Sequence, residues 1–231
     1  MKNIVIATIK EWNINNYFEL KKELENEYSL YLLTNKDELS FKNIEKINPK
    51  YIFFPHWSWI IPENIYKNYE CILFHMTDLP YGRGGSPLQN LIINKVYNTK
   101  ISALKVTKGL DEGDIYLKED FDISKGSANE IYINASKLIF KKLIPNILRQ
   151  NPTPVRQEGD VVNFKRRTPE QSNIKMLNDV SIANLYDFIR MLDAPSYPKA
   201  YLELDNLKME LFEVIIKDGK LEGRFEVSKH E

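Results

Sequence analysis

Four short, almost wholly apolar runs punctuate the first third of the chain: Lys2–Thr8, Ser29–Leu33, Tyr51–Pro55 and Cys71–His75. A strand that is apolar on both sides must be covered on both sides. Runs of this kind, spaced by helical or loop segments, therefore specify a doubly wound, mainly parallel α/β sheet of the Rossmann-like sort. The spacers fit: Asn15–Tyr28 reads as an amphipathic helix, and Pro62–Tyr69 and Pro87–Asn94 each begin with a proline suited to a first helical turn.

Beyond Asn94 the pattern changes. Lys100–Thr107 and Asp114–Glu119 alternate around an Asp-Glu-Gly-Asp corner and predict a hairpin-like pair. Ser127 with Glu130 forms a capping box for a helix from Ala128 to about Arg149, which Asn151-Pro-Thr-Pro ends. Val155–Ser172 is a polar connector. Ser181–Leu192 predicts a helix burying Leu185, Phe188 and Ile189. Three alternating segments in Ala200–Val227, turning at Asp205-Asn206 and Asp218-Gly219, predict a small antiparallel sheet. The expected division is a main domain over 1–168 and a helix-plus-sheet appendage over 169–231.

Bulk composition narrows the function. Lys plus Arg equals Asp plus Glu at 32 each, so no global positive field draws in nucleic acid. One cysteine, Cys71, allows no internal disulfide and fits a reducing cytoplasm. No run approaches the roughly 20 apolar residues of a membrane helix, and no Cys/His cluster has metal-ligand spacing, so neither membrane nor metal is expected.

Ligands of open α/β sheets bind beyond the carboxyl ends of strands. There, after the fourth run, stands His75-Met-Thr-Asp-Leu-Pro-Tyr-Gly-Arg-Gly-Gly-Ser-Pro87. A histidine at a strand end can relay protons near neutral pH, and the glycines let backbone approach a ligand. Alone, such a loop serves structure as readily as catalysis. In register, however, His75, Thr77, Leu79, Pro80, Arg83, Gly84 and Pro87, followed 36 positions after His75 by Asp111-Glu-Gly-Asp114, resemble the folate-dependent formyltransferases. That family includes methionyl-tRNA, glycinamide-ribonucleotide and amino-sugar enzymes. The likeness is strong over about 50–120. It is weaker at Gln157-Glu-Gly, at Phe164 to Pro169 and at Tyr197-Pro-Lys-Ala, where the amino-sugar branch is the nearest pattern.

The resemblance implies N10-formyltetrahydrofolate as donor and His75, Asp111 and Thr77 as catalytic residues. A protonated His75 would stabilise the oxyanion formed at the formyl carbon. Asp111 would orient the imidazole and take the proton lost by the attacking amine. Folate contacts are implied at Trp59, Ile60 and Ile61, at Arg83 and Gly84, and at Thr107 and Leu110. Trp57 and Trp59 suit ordinary packing equally well, and Arg166-Arg167 suits a phosphate contact or a solvated connector. His56 reads as structural and His230 as irrelevant. One position departs from the family: its catalytic Asn, two residues before the histidine, is Leu73. Losing such an oxyanion donor commonly costs about a hundred- to a thousandfold in rate. Thr77, Asn90 or the amides of Gly84 and Gly85 are candidate replacements, and Asp78, Arg83 and Gln89 imply a reorganised polar site.

With zero net charge and about 60 residues after Pro169, the expected acceptor is a nucleotide-linked amino sugar of surface-glycan synthesis, with no nucleic acid and with homodimerisation open. The rivals are a methionyl-tRNA acceptor and a catalytically silent folate or sugar-nucleotide binding module.

Overall fold

A computed structural model describes residues 1–195 and 197–229, so His230 lies outside the described residues. Strand β1 (Lys2–Ala7) leads into α1 (Glu11–Leu24), then β2 (Tyr28–Leu33), α2 (Phe41–Ile47), β3 (Tyr51–Phe54), α3 (Glu63–Tyr66) and β4 (Cys71–His75). The four apolar runs are thus four strands. Pairing is parallel between β1 and β2, β1 and β3, and β3 and β4.

Two spacers differ from expectation. Helix α1 starts and stops four residues early, and Asn13 lies buried in its first turn, its Nδ2 donating to Thr8 Oγ1 and to Pro55 O. Tyr28 is needed in β2 opposite Lys2. Helix α2 was not expected. Ser40 caps its start by accepting from Asn43 N, and Asn48, in the left-handed conformation, ends it.

The chain continues through β5 (Tyr81–Gly84), α4 (Pro87–Ile93), β6 (Asn98–Lys105) and β7 (Ile115–Asp122). Strand β6 runs antiparallel to β4 with His75 opposite Ser102, completing a six-stranded sheet of order β2-β1-β3-β4-β6-β7. The capping box forms as expected, Ser127 N donating to the Glu130 carboxylate and Glu130 N to Ser127 Oγ. The helix it starts is interrupted: α5 (Ala128–Leu138) passes through a π-helical turn at Ile139–Leu143 into α6 (Ile144–Gln150). Pro145 explains the wide turn, since it lacks the N–H that an unbroken helix needs.

Within Val155–Ser172 the expected connector holds a short strand, β8 (Val162–Phe164), paired with β5. Helix α7 (Ile182–Arg190) follows its Ser181 cap, and β9 (Ala200–Leu204), β10 (Leu207–Lys217) and β11 (Lys220–Lys229) form the expected antiparallel sheet. No helix among the described residues is long and apolar enough to cross a membrane.

The chain forms two compact units. The first comprises 1–83, 100–121 and 133–163. One apolar cluster joins Val5, Ile52, Phe54, Ile65, Cys71 and Val106 on one side of the sheet. A smaller cluster of Leu79, Leu104 and Ile115 receives Leu73. The second unit comprises 84–99, 122–132 and 164–231. At its centre Arg190, fully buried, donates from Nε to Asp187 and from Nη1 to the carbonyls of Ile123 and Gly126. Asp187 also accepts from Lys95 and Tyr97. The expected helix face is corrected here: Leu185 is only half-buried, and Asp187 and Arg190 lie inside with Phe188 and Ile189.

Candidate active site

His75 is the last residue of β4, and alternation along a strand puts it on the same face as Leu73. It is 7% exposed, and its Nε2 lies 2.8 Å from Gly82 O. A carbonyl can only accept, so Nε2 carries a proton. On the other side of the ring, Nδ1 is 3.6 Å from Asp111 Oδ2, and Asp111 is likewise 7% exposed. The loop between β6 and β7 thus folds back to bring a carboxylate from 36 positions away against the imidazole.

That loop is held tightly. Asp111 has φ +54°, a left-handed conformation that aspartate tolerates better than most residues. Gly113 cannot be replaced without movement, because a Cβ there would sit 1.7 Å from Lys105 O. Gln157 donates from Nε2 to the carbonyls of Asp111 and Gly113, at 2.8 Å each, while its Oε1 accepts from Arg83 Nε and Nη2. Arg83 also faces Glu112 at 3.8 Å. The His75 loop is braced in turn: Ser102 Oγ donates to Thr77 O at 2.6 Å, and the Leu79–Pro80 peptide is cis.

The groups expected to stand in for the missing Asn are largely engaged elsewhere. Thr77 is fully buried and its hydroxyl makes a long 3.4 Å bond to Gly82 O, the carbonyl that His75 already occupies. Asn90, in the second unit, donates to the carbonyls of Gly85, Ser86 and Lys165, and Gly85 N donates to Phe164 O. Asp78 pairs with Lys118, and Gln89 donates to Tyr132 Oη and Met191 O. Leu73 itself packs on the apolar cluster of Leu79, Leu104 and Ile115.

Of the residues implied for folate, Trp59, Ile60, Thr107 and Leu110 are exposed, Ile60 at 93% and Leu110 at 71%. Ile61 and Trp57 pack on the cluster that contains Val106, so the 57–61 and 106–111 loops rise from one base. The Trp57 indole N–H is buried there without an acceptor. Gly84, in the second unit, has φ +105°, and a Cβ on it would meet Phe164 O at 2.4 Å. His56 is exposed at φ +56°, with Trp12 edge-on to its ring. Arg167 donates to Gln171 O and lies over the Phe188 ring. A cavity of about 140 Å³ in the second unit, lined by Ile92, Phe188, Met191 and the Lys95–Asp187 pair, contains none of the expected site residues.

Comparison with known proteins follows this geometry. A family profile described as the C-terminal domain of methionyl-tRNA formyltransferase matches residues 169–228. A curated methionyl-tRNA formyltransferase of Rickettsia massiliae is 33% identical over 136 residues, 57% of this chain and 45% of the relative. The chain spans about half the length of the curated relatives it matches first. A solved structure of HypX from Aquifex aeolicus in complex with tetrahydrofolic acid shares the fold at 19% identity and a TM-score of 0.72, covering 94% of this chain and 39% of that one. A solved structure described as methionyl-tRNA formyltransferase from Clostridium thermocellum is 49% identical, with a TM-score of 0.95, over 99% of this chain and 100% of that one. With a match of that depth along its whole length, and with the imidazole–carboxylate pair its loops bring together, the chain belongs to the formyltransferase family.

Proposed function

We propose that this protein transfers a formyl group from N10-formyltetrahydrofolate to the amino group of an acceptor. The observation that carries the reading is the buried His75–Asp111 pair at the carboxyl end of β4. His75 has an oxygen on each side of its ring, Gly82 O and the Asp111 carboxylate, and an imidazolium formed there during turnover would offset negative charge on a carbonyl oxygen. Asp111 orients the imidazole and can receive the proton that an attacking amine loses. The exposed apolar surface of Trp59, Ile60 and Leu110, with the unsatisfied Trp57 N–H beneath it, suits a flat ring with a polar rim. When bound, the folate supplies the one-carbon unit; the protein's part is to hold it and to manage charge and protons.

For the acceptor, the similarity to methionyl-tRNA formyltransferases, including the profile match over 169–228, supports methionyl-tRNA. A second reading, a nucleotide-linked amino sugar, draws on charge. Residues 169–228 hold eleven acidic against seven basic side chains, whereas gripping a nucleic-acid backbone rewards an excess of Lys and Arg.

The deciding experiment incubates the protein with N10-formyltetrahydrofolate and, separately, methionyl-tRNA or a panel of nucleotide-linked amino sugars. Release of tetrahydrofolate and the formylated product are followed by liquid chromatography. Formylation of one acceptor class identifies it. Folate binding without transfer to any of them would defeat the proposal in favour of a silent binding module.

A further inference from the structure

The polar connector after α6 carries a residue whose side-chain amide is wholly committed to the two loops that bear His75 and Asp111. Gln157 uses both amide hydrogens on the carbonyls of Asp111 and Gly113 and its oxygen on the Arg83 guanidinium. A carboxamide has two donors and one acceptor oxygen, and here nothing is left over. The connector is itself fixed, since Val155 and Ile115 exchange both backbone hydrogen bonds, at 2.7 and 2.9 Å. Arg83 lies eight positions after His75 and follows Gly82, whose carbonyl accepts from the imidazole. One side chain therefore ties the segment that holds His75 to the left-handed turn that presents Asp111.

We propose that Gln157 is a positioning residue for formyl transfer, fixing the backbone at Asp111 and just after it so that its carboxylate faces His75. This rests on the formyl-transfer reading above. The physical reason is that φ +54° is an unfavourable state for a non-glycine residue, and two hydrogen bonds from a rigid support offset that preference. Without them the turn can relax, and a shift of about 1 Å at a catalytic group can cost on the order of a hundredfold in rate.

The test uses the full chain with the donor and whichever acceptor the wild type formylates. Gln157→Met keeps length and volume but removes the amide. Gln157→Glu keeps a partner for Arg83 but removes both donors. Both variants should lower kcat by about ten- to a hundredfold with KM for the donor nearly unchanged, the signature of misplacement rather than lost binding. Combined with Asp111→Asn, Gln157→Met should add almost nothing to the residual rate loss, because the two act through one group. A merely structural role predicts the same fold-loss in both backgrounds, and that result would overturn the proposal.

A second measurement does not need turnover. The carbon chemical shifts of Asp111 report its left-handed backbone. They should move in Gln157→Met while those of Asn48, also left-handed, stay in place. Unmoved Asp111 shifts would refute the positioning role. Failure of the wild type to formylate any amine would instead defeat the functional reading, leaving the Asp111 shifts to report whether Gln157 holds that turn.

Discussion

His75 and Asp111 are separated by 36 positions and meet at 3.6 Å, while the side chain two residues before His75 on the same strand is a leucine packed on apolar neighbours. If His75 is catalytic as proposed, the lack of an amide at position 73 leaves more of the oxyanion stabilisation to its imidazole. His75→Asn and Asp111→Asn should each lower kcat by about a thousandfold or more, with unchanged circular dichroism. Near-wild-type turnover in either variant would remove that residue from the mechanism. Both residues were legible in the sequence because a short motif fixes each. The bonds of Asn90 and the Gly85 amide to the carbonyls of Lys165 and Phe164 were not legible, because those partners lie some 75 positions away and no local pattern announces them. Gln157 stood out only as part of a resemblance, and its bonds were hidden for the same reason: its partners lie in two distant loops. At Cys71, burial pushes the thiol up to about 12, so a thiol reagent should label the native protein only as fast as it unfolds. Fast labelling of folded protein would contradict the buried placement.

Among the elements, the strands were easiest to read, since an apolar run needs no partner to declare itself. Helix ends were harder. At α1 the chain turns helical before the expected start and Asn13 is bonded to Thr8 and Pro55, while at α5 the Ser127–Glu130 box lies where it was expected. Ser127→Ala should cost about 1 kcal/mol in denaturant unfolding. The buried charges of α7 could not be foreseen, because a helix carrying Asp187 and Arg190 looks solvent-facing until their partners are known. Burial alone would raise the Asp187 carboxyl, but bonds from Tyr97, Lys95 and Arg190 outweigh it and hold the group below the usual carboxylate range. Its contribution to stability is therefore present above the unfolded aspartate's pKa, near 4, and is lost as pH falls through the lower folded value. Asp187→Asn leaves Arg190 buried without its counter-charge and should cost about 3–5 kcal/mol at neutral pH. The deficit should shrink in acid, where the wild type also loses the pair. A deficit independent of pH would show that the charge is not what matters.

For the molecule as a whole, the apolar runs announce a doubly wound, mainly parallel sheet, whose order β2-β1-β3-β4-β6-β7 the structure supplies, but the charge balance that argued against nucleic acid speaks only to the sum. Lys165 and Arg166 are exposed, and any grip on a polynucleotide would draw on such local cations. If methionyl-tRNA is the acceptor, replacing both with alanine should raise KM for it and flatten the salt dependence of binding by about two counterions. If the acceptor is a nucleotide-linked sugar, salt should matter much less in either protein.

The 1.7 Å gap between Lys105 O and any added carbon on Gly113 has one more consequence. In a saturation library sorted only for folded, soluble chains, that codon should come back as glycine alone. The turn bearing the carboxylate would then be preserved by the demands of folding, even under conditions where catalysis goes unselected.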